Sequence, residues 1–581
     1  MAGILNITQG IAYAVMAGLP PVSGLYSTFL SILIYPFLAS WPHGSLGPFA
    51  IVELMSGAAA RRVMHNYGLD PNANLTNDEL ILLEEINPST IISTLTFMNG
   101  FVCLAFGFLH LQFLMRYFSD SFVSGFITAV SLHVFVAQID VLIGIKRPRS
   151  SGIGYLFVDI YETYKRIHTS NYLTLTMSMG SLLFLIIGKF LIHPFLQKAF
   201  SLKKLVLPWE LLLVILTTSI AYFLRLDTEF DLKVVGNLPT GLPEPSLPKF
   251  YLIPELFWDS IAISVTQLAF HLSVAKIMSA DGTYKVDDRQ ETYAIGSTLI
   301  FTGFFPVFPG TNGLGRPMVL RECGATTPIA CIISGLVVLV VLLAVGPVLY
   351  WLPLCVLSVI LLVAIRGLLR GFCRVRHFWR MSKWDGLIWM VTFVSSVGMD
   401  VIGGLVVGVL FQAFTVVWRA QWPQWGARFS KNKHSADLCI FEYHSMVLFT
   451  NSEHFEKAAR RVLVKWNASG LGRCQRTFIF NFAAISHIDT MGLESLYHLV
   501  GEIRQAACVV YFANIQDNIA SSLKRAQIIS EENTNCIFQS IEDAIWAARL
   551  PDDHLPLIAK TTNPFDFAYD PSVHSLPFTN L

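Results

Sequence analysis

Charge is scarce in this chain. Only 14% of its 581 residues are Asp, Glu, Lys or Arg, and 53% are hydrophobic; average soluble proteins carry about 25% charged residues. A soluble fold of this length cannot hide that much apolar surface, so the composition points to a membrane protein. The net charge of +1 gives no electrostatic footprint for nucleic acid. The nine cysteines stand singly, with no Cys-x-x-Cys pair and no metal-ligand spacing, which argues against a disulfide framework or a metal centre. There is no nucleophile elbow, phosphate loop or metal motif. The pattern therefore excludes the common enzyme classes and calls for no cofactor. The opening residues 1–18 lack the basic start of a signal peptide and carry Asn6, Thr8 and Gln9 among apolar neighbours. They read as a first transmembrane helix cut short at its N-terminus.

What is present is a succession of apolar runs as far as about residue 418. No charge interrupts Cys323 to Ile365, room for two crossings at about 20 residues each, with the turn marked by Pro347 and Trp351-Leu352-Pro353. Further spans are expected at 24–40, 47–60, 91–114, 122–145, 172–191, 205–223, 253–279, 293–308, 386–399 and 401–418. A short helix near 314–320 brings the total to about fourteen. An even number puts both termini on one side. Arg366, Arg370, Arg374, Arg376, Arg380 and Lys383 form a linker without an acid, cytosolic by the positive-inside rule. Lys198, Lys203 and Lys204 agree; Lys146, Arg147 and Arg149 fall on the outer side against the rule. The acidic loop 70–85 contains Asn74-Leu75-Thr76, a glycosylation acceptor if it faces outside.

From about residue 430 the charge content becomes ordinary. Strands are expected within 438–448 and 477–481, and amphipathic helices at 454–465, 492–505 and 517–525, which together read as a small α/β domain. The expected division is a transmembrane domain at 1–421, the α/β domain at 430–550 and a proline-bearing tail at 551–581.

Two stretches break the membrane pattern: His43-Gly44-Ser45-Leu46-Gly47-Pro48-Phe49-Ala50, and Pro309-Gly310-Thr311-Asn312-Gly313-Leu314-Gly315-Arg316-Pro317. Irregular backbone at membrane depth is tolerated only where protein buries it or it lines a cavity. Paired interruptions in the two halves of a transporter point to a midplane site. A helix that starts there aims free N–H groups and a positive dipole end at the cavity, an arrangement suited to anions. Arg316 adds a charge whose place near the bilayer centre costs about 2.5–3.5 kcal/mol on insertion scales. The competing reading is a structural arginine, paired with a carboxylate or reaching the surface.

At these residues the chain resembles the sulfate permease (SulP, solute carrier 26) family over nearly its whole length. The blocks are Gln9-Gly10-Ile11-Ala12-Tyr13-Ala14 with Gly18-Leu19-Pro20-Pro21 and Gly24-Leu25-Tyr26-Ser27, then Ser45-Leu46-Gly47-Pro48-Phe49-Ala50, Val234-Val235-Gly236 with Pro239-Thr240-Gly241-Leu242-Pro243, and Gln290-Glu291. The resemblance implies a mainly α membrane protein with a seven-plus-seven inverted repeat of uracil-permease type, a core moving against a gate, and a C-terminal STAS domain. It implies an anion pocket at Gln9, Tyr13, Phe49, Ala50, Gly315 and Arg316. On the residues alone, the two aromatics read as core packing. It also implies a homodimer in the plasma membrane with a cytosolic C-terminus, and cytosolic partners for the STAS domain. Ile488-Asp489-Thr490-Met491-Gly492 is similar to that domain's strand-to-helix turn, where Thr490 reads as a helix N-cap. Departures are the missing cytosolic N-terminal segment, Thr8 for proline, Ser23 for an aromatic, Gly315 for a serine donor, and Asp288-Arg289 for small residues.

Two intramembrane charges are expected to matter. Glu53 follows Phe49 by four residues and shares its helix face; it either neutralises Lys276 or binds a coupling proton. A stable Glu–Lys or Glu–Arg pair without a transport role is the alternative. The function expected is a secondary exchanger of chloride, bicarbonate, sulfate or oxalate. The alternatives are a channel-like chloride conductor, a nucleobase permease, which Arg316 disfavours, and a non-transporting or voltage-responsive scaffold.

Overall fold

The computed structural model describes residues 2–69, 86–111, 118–145, 153–192, 208–279, 282, 284–313, 315–430, 437–468, 476–529, 536–549 and 574–575. The chain divides into two compact units, Met1–Gln412 and Ala413–Leu581.

Fourteen helices among the described residues follow the apolar runs: α1 Ala2–Ala17, α2 Pro21–Leu38, α3 Ala50–Asn66, α4 Pro88–Phe108, α5 Asp120–Ile143, α6 Tyr172–Ile186, α7 Trp209–Leu224, α8 Ile253–Ser279, α9 Asp288–Thr302, α10 Gly315–Glu322, α11 Ile329–Val340, α12 Leu354–Leu369, α13 Lys383–Gly398 and α14 Val401–Gln421. Short helices at Tyr155–Lys165, Leu226–Phe230 and Gly371–Met381 join them. Among the described residues eight spans are long and apolar enough to cross a membrane, and α1 and α7 are shorter apolar helices. Several starts carry a side-chain cap. Asn87 accepts from the Thr90 N–H at 2.8 Å with Pro88 at the first helical position, and the Asp287 carboxylate accepts from the Arg289 and Gln290 N–H groups at the head of α9. These side chains satisfy donors that a helix start leaves free. α5 stops at Gly144, whose φ of 76° is the left-handed stop that favours glycine.

Span boundaries moved where caps outweigh hydropathy. The helix expected at 293–308 runs from Asp288 to Thr302, because its charged first turn is capped by Asp287 and one of its acids is buried. The expected short helix at 314–320 is α10. Asn74, the loop 70–85, and the basic residues at 146–149 and 198–204 lie outside the described residues.

α1 and α2 touch through backbone. A Cβ on Gly24 would run into the Gly10 carbonyl. Among the described residues the two largest apolar clusters of this unit lie around Met55, Ile91 and Ile263 and around Ile11, Val338 and Val356. Val234 pairs with Pro353 in a short antiparallel bridge.

The second unit holds a six-stranded sheet ordered β5-β4-β3-β2-β1-β6. The strands are β1 Trp425–Ser430, β2 Asp437–Tyr443, β3 Arg476–Asn481, β4 Cys508–Ala513, β5 Ile537–Phe538 and β6 His574–Ser575. β2 to β5 run parallel, and β1 is antiparallel to β2 and β6. Parallel neighbours require crossovers, supplied by α15 Ser452–Ala468, α16 Thr490–Gln505 and α17 Asp517–Arg525, with α18 Ile541–Arg549 following. β2 is buried along its whole length, and the strand expected at 438–448 ends at Tyr443. Phe441, Phe478, Phe480 and Phe512 line the core. Of the expected tail, 551–573 and 576–581 lie outside the described residues.

Gly24→Val should wedge α1 from α2. Overpacking a filled contact costs about 1–3 kcal/mol, so the purified full chain should melt at a lower temperature; an unchanged melting temperature would show that the helices do not rest on each other there.

Candidate functional site

The two broken stretches meet. Gly47 and Thr311 form an antiparallel bridge, with Thr311 N–H donating to the Gly47 carbonyl at 2.9 Å and Gly47 N–H to the Thr311 carbonyl at 3.3 Å. Two irregular segments thereby satisfy each other's backbone groups where no water is available to do so. α3 begins two residues beyond the first segment's Pro48, and α10 begins four residues beyond Thr311.

Arg316 lies behind this bridge, only 2% exposed. Its Nη2 donates to the carbonyls of Pro48 at 2.8 Å and Thr311 at 3.0 Å. Of the five N–H donors on a guanidinium, those on Nη1 and Nε have no hydrogen-bond partner among the described residues. Gly47 makes room for the group: a Cβ there would strike Nη1. The expected alternative of an arginine paired with a carboxylate does not hold among the described residues. Its anchors are carbonyls, and no hydrogen bond or ion pair joins it to Glu53 or Tyr13 among the described residues.

Phe49 is the extended residue before α3, with φ −144° and ψ 127°, and its ring packs on Phe270 at 5.1 Å between centroids. Ala50 opens the helix and is buried. Tyr13 is buried on α1, and Gln9, one turn earlier, is half-buried. α1 packs against both α3 and α10. Gly315 is exposed, with open space where a side chain would stand.

Glu53 is fully buried. Its Oε1 accepts from the Phe49 N–H at 3.3 Å, and its Oε2 has no hydrogen-bond partner among the described residues. The carboxylate therefore faces the positive end of its own helix, a favourable place for it. Lys276 does not join this group. It sits in the last turn of α8, half-exposed, and pairs with Asp288 at 3.3 Å. The expected Glu53–Lys276 pair is corrected: a long cation at a helix C-terminus is drawn to solvent and to the acidic first turn of α9.

The sequence reading missed the support beneath the bridge. The Gln267 side-chain amide donates to the Gly310 carbonyl, and the Gln267 backbone carbonyl accepts from Thr311 Oγ1 at 3.1 Å. One turn further along α8, His271 Nδ1 accepts from Asn312 Nδ2 at 3.1 Å, so the ring proton sits on Nε2 and is donated to Glu291 Oε2 at 2.7 Å. Tyr35 donates to the same oxygen at 2.6 Å, and Trp41 Nε1 donates to Tyr35 Oη at 2.9 Å. The other carboxylate oxygen receives Ser40 Oγ at 2.7 Å. Tyr35, His271 and Glu291 are all fully buried. Polar residues at a four-residue spacing, Gln267 and His271, inside an apolar helix were the available signal.

In the second unit, Asp489 is the N-cap of α16. Its Oδ1 accepts from the Gly492 N–H at 2.8 Å and its Oδ2 from the Phe449 N–H. Thr490 is the first helical residue, which corrects the expectation that it caps. Both border a surface cleft of about 750 Å³ with His487, Tyr497 and Arg525.

A sulfate permease family model matches residues 1–392, and a STAS domain model matches 430–544. The chain is 29% identical to sulfate permease family protein 3 of Caenorhabditis elegans, covering 94% of this chain and 80% of that protein. It is 29% identical to the human sulfate transporter, covering 95% and 82%. It is 33% identical to Danio rerio prestin, covering 79% and 64%. Among solved structures, murine Slc26a9, an anion transporter in the inward-facing state, superposes with a TM-score of 0.83 at 24% identity over 94% of this chain and 90% of that one. The transmembrane domain of the cyanobacterial bicarbonate transporter BicA gives a TM-score of 0.56 at 17% identity, over 71% and 94%.

Removing the Glu291 carboxylate leaves the Tyr35, Ser40 and His271 donors without their acceptor. Breaking such a buried pair costs about 3–5 kcal/mol. Glu291→Ala should therefore lower the melting temperature of the full chain markedly, and Glu291→Gln, which keeps one acceptor, should lower it less. Equal melting of both variants and the parent would remove the network's structural role.

Proposed function

The chain belongs to the sulfate permease family, and from that membership we propose that it exchanges small anions, among them chloride, bicarbonate, sulfate and oxalate, across the membrane by alternating access. The family is one of transporters and not of enzymes. Arg316 is the observation that carries the reading. Its guanidinium is held by two carbonyls, and its remaining N–H groups have no partner among the described residues. A buried cation without a carboxylate partner is stabilised when an anion arrives. The N-termini of α3 and α10 add their dipoles, and Gln9 supplies an amide donor. Tyr13 and Phe49 offer positive ring edges. Ala50 and Gly315, which lack bulk, let an anion approach the backbone. The channel-like alternative is separated by flux and not by geometry.

Glu53 supplies a coupling charge in this reading. As a carboxylate it offsets the α3 dipole that an anion would use. Protonation removes that competition, so anion uptake rises as pH falls. A cytosolic C-terminus accords with the acid-free linker from Arg366 to Lys383; residence in the plasma membrane rests on the family alone. Assembly as a homodimer and cytosolic partners for the turn at Asp489 and Thr490 rest on the family alone. Glycosylation of Asn74 belongs to the same topology.

Hydrogen bonds from a charged donor contribute about 1.5–3 kcal/mol, so Arg316→Gln should weaken anion uptake into proteoliposomes by roughly 10- to 100-fold; uptake at the parental rate would refute the site. Flux that requires an anion on the far side marks exchange, and current without one marks a channel.

Glu53→Gln should flatten the pH profile of uptake near the acid-side maximum. A profile that still rises toward low pH in that variant would take the proton from Glu53.

A further inference from the structure

The helix Gly371–Met381, between α12 and α13, is a separate feature of the surface. α12 lies in a stretch long and apolar enough to cross a membrane, and α13 carries its charges only in its first turn, so the connection between them sits at one face of the membrane. At 100° per residue, Phe372, Val375, Phe378 and Trp379 fall on one side, and Arg376, His377 and Arg380 on the other. Gly371 is seated on Thr128 of α5, with no space for a Cβ. Phe372 packs on Phe393 at 5.2 Å and Trp389 at 6.4 Å between centroids. Trp379 lies where a Cβ on Gly386 would stand. The helix is thus tied to the bundle by its aromatic side. Even so, Phe372 and Trp379 keep 42% and 46% of their surface open. Arg370, Arg374, Arg376 and Arg380 are all exposed and have no ion pair among the described residues.

We propose that this helix is a docking surface for the anionic lipid headgroups of the leaflet it borders. The half-open rings sit at the acyl boundary, where aromatic side chains are favoured. The arginines lie at phosphate level. Charge complementarity identifies the occupant. Six basic residues and no acid occur from Arg366 to Lys383, and a basic cluster beside a membrane helix attracts acidic lipids within a Debye length. Continuity with the apolar flanks of α12 and α13 favours a bilayer over a soluble partner. The surface is independent of the anion site, so either reading can fail alone.

The test uses the full chain in phosphatidylcholine vesicles carrying a minor fraction of phosphatidylserine. The lipids retained by the detergent-extracted protein are measured by mass spectrometry. Phosphatidylserine should be enriched several-fold over its bulk fraction, and the enrichment should shrink as salt is raised. The combined variant Arg374→Gln, Arg376→Gln, Arg380→Gln should return it to the bulk fraction, whereas lysine at the same three positions should keep it. Enrichment that persists in the glutamine variant, or that ignores salt in the parent chain, overturns the proposal. Displacement by inorganic phosphate at millimolar levels would assign the arginines to a free anion, and binding of an acidic peptide without lipid enrichment would assign them to a protein; each outcome also overturns it. If the glutamine variant does not fold, the salt series on the parent chain decides alone.

Discussion

The first unit's functional architecture depends on one exchange of hydrogen bonds, that between Gly47 and Thr311. Two chain segments that have abandoned helical geometry in an apolar surrounding carry unpaired donors and acceptors. Each such group costs several kcal/mol if left alone. Pairing them removes the penalty and fixes where two helices begin. The guanidinium of Arg316 then ties the same two segments a second time, through Pro48 and Thr311. A single short bridge therefore sets the position of both helix starts and of the charge between them.

Beneath it lies a second polar layer in which almost every group is occupied. Asn312 leaves the tenth-helix segment to meet His271 and Tyr35, and Glu291 gathers both together with Ser40. The contrast between the layers is informative. Glu291 receives several donors, whereas Glu53 keeps an oxygen without a hydrogen-bond partner and the hydrogen bonds of Arg316 among the described residues all leave from Nη2. Buried polar groups are almost always satisfied. Among the described residues the unsatisfied groups occur in several parts of the chain, and at the paired broken segments they include Ser45 Oγ, Glu53 Oε2 and Asn312 Oδ1.

The membrane class, the two broken segments, Arg316 and the α/β unit were legible in the sequence, because each leaves a local mark: an apolar run, a Gly-Pro cluster, a charge out of place, or alternating strands and helices. The helix at 517–525 was read to the residue. What escaped depends on contacts between distant segments. The burial of Glu291 is invisible beside Asp287, Asp288 and Arg289, which look like an ordinary soluble helix start. Lys276 looked intramembrane because it belongs to a long apolar helix, but its place in the last turn lets it reach Asp288. Thr490 and Asp489 were adjacent candidates for one cap, and only backbone geometry separates them.

The bridge between the third and tenth helices also bears on sidedness. The two helix starts are stitched to each other by backbone hydrogen bonds, and the carbonyls that hold Arg316 belong to the same two segments. Under the proposed alternating access, an ion held there would meet the same coordination whichever face of the bilayer is open. By microscopic reversibility, such a site has no preferred direction of its own, and the sign of net flow is left to the concentration and voltage differences across the membrane.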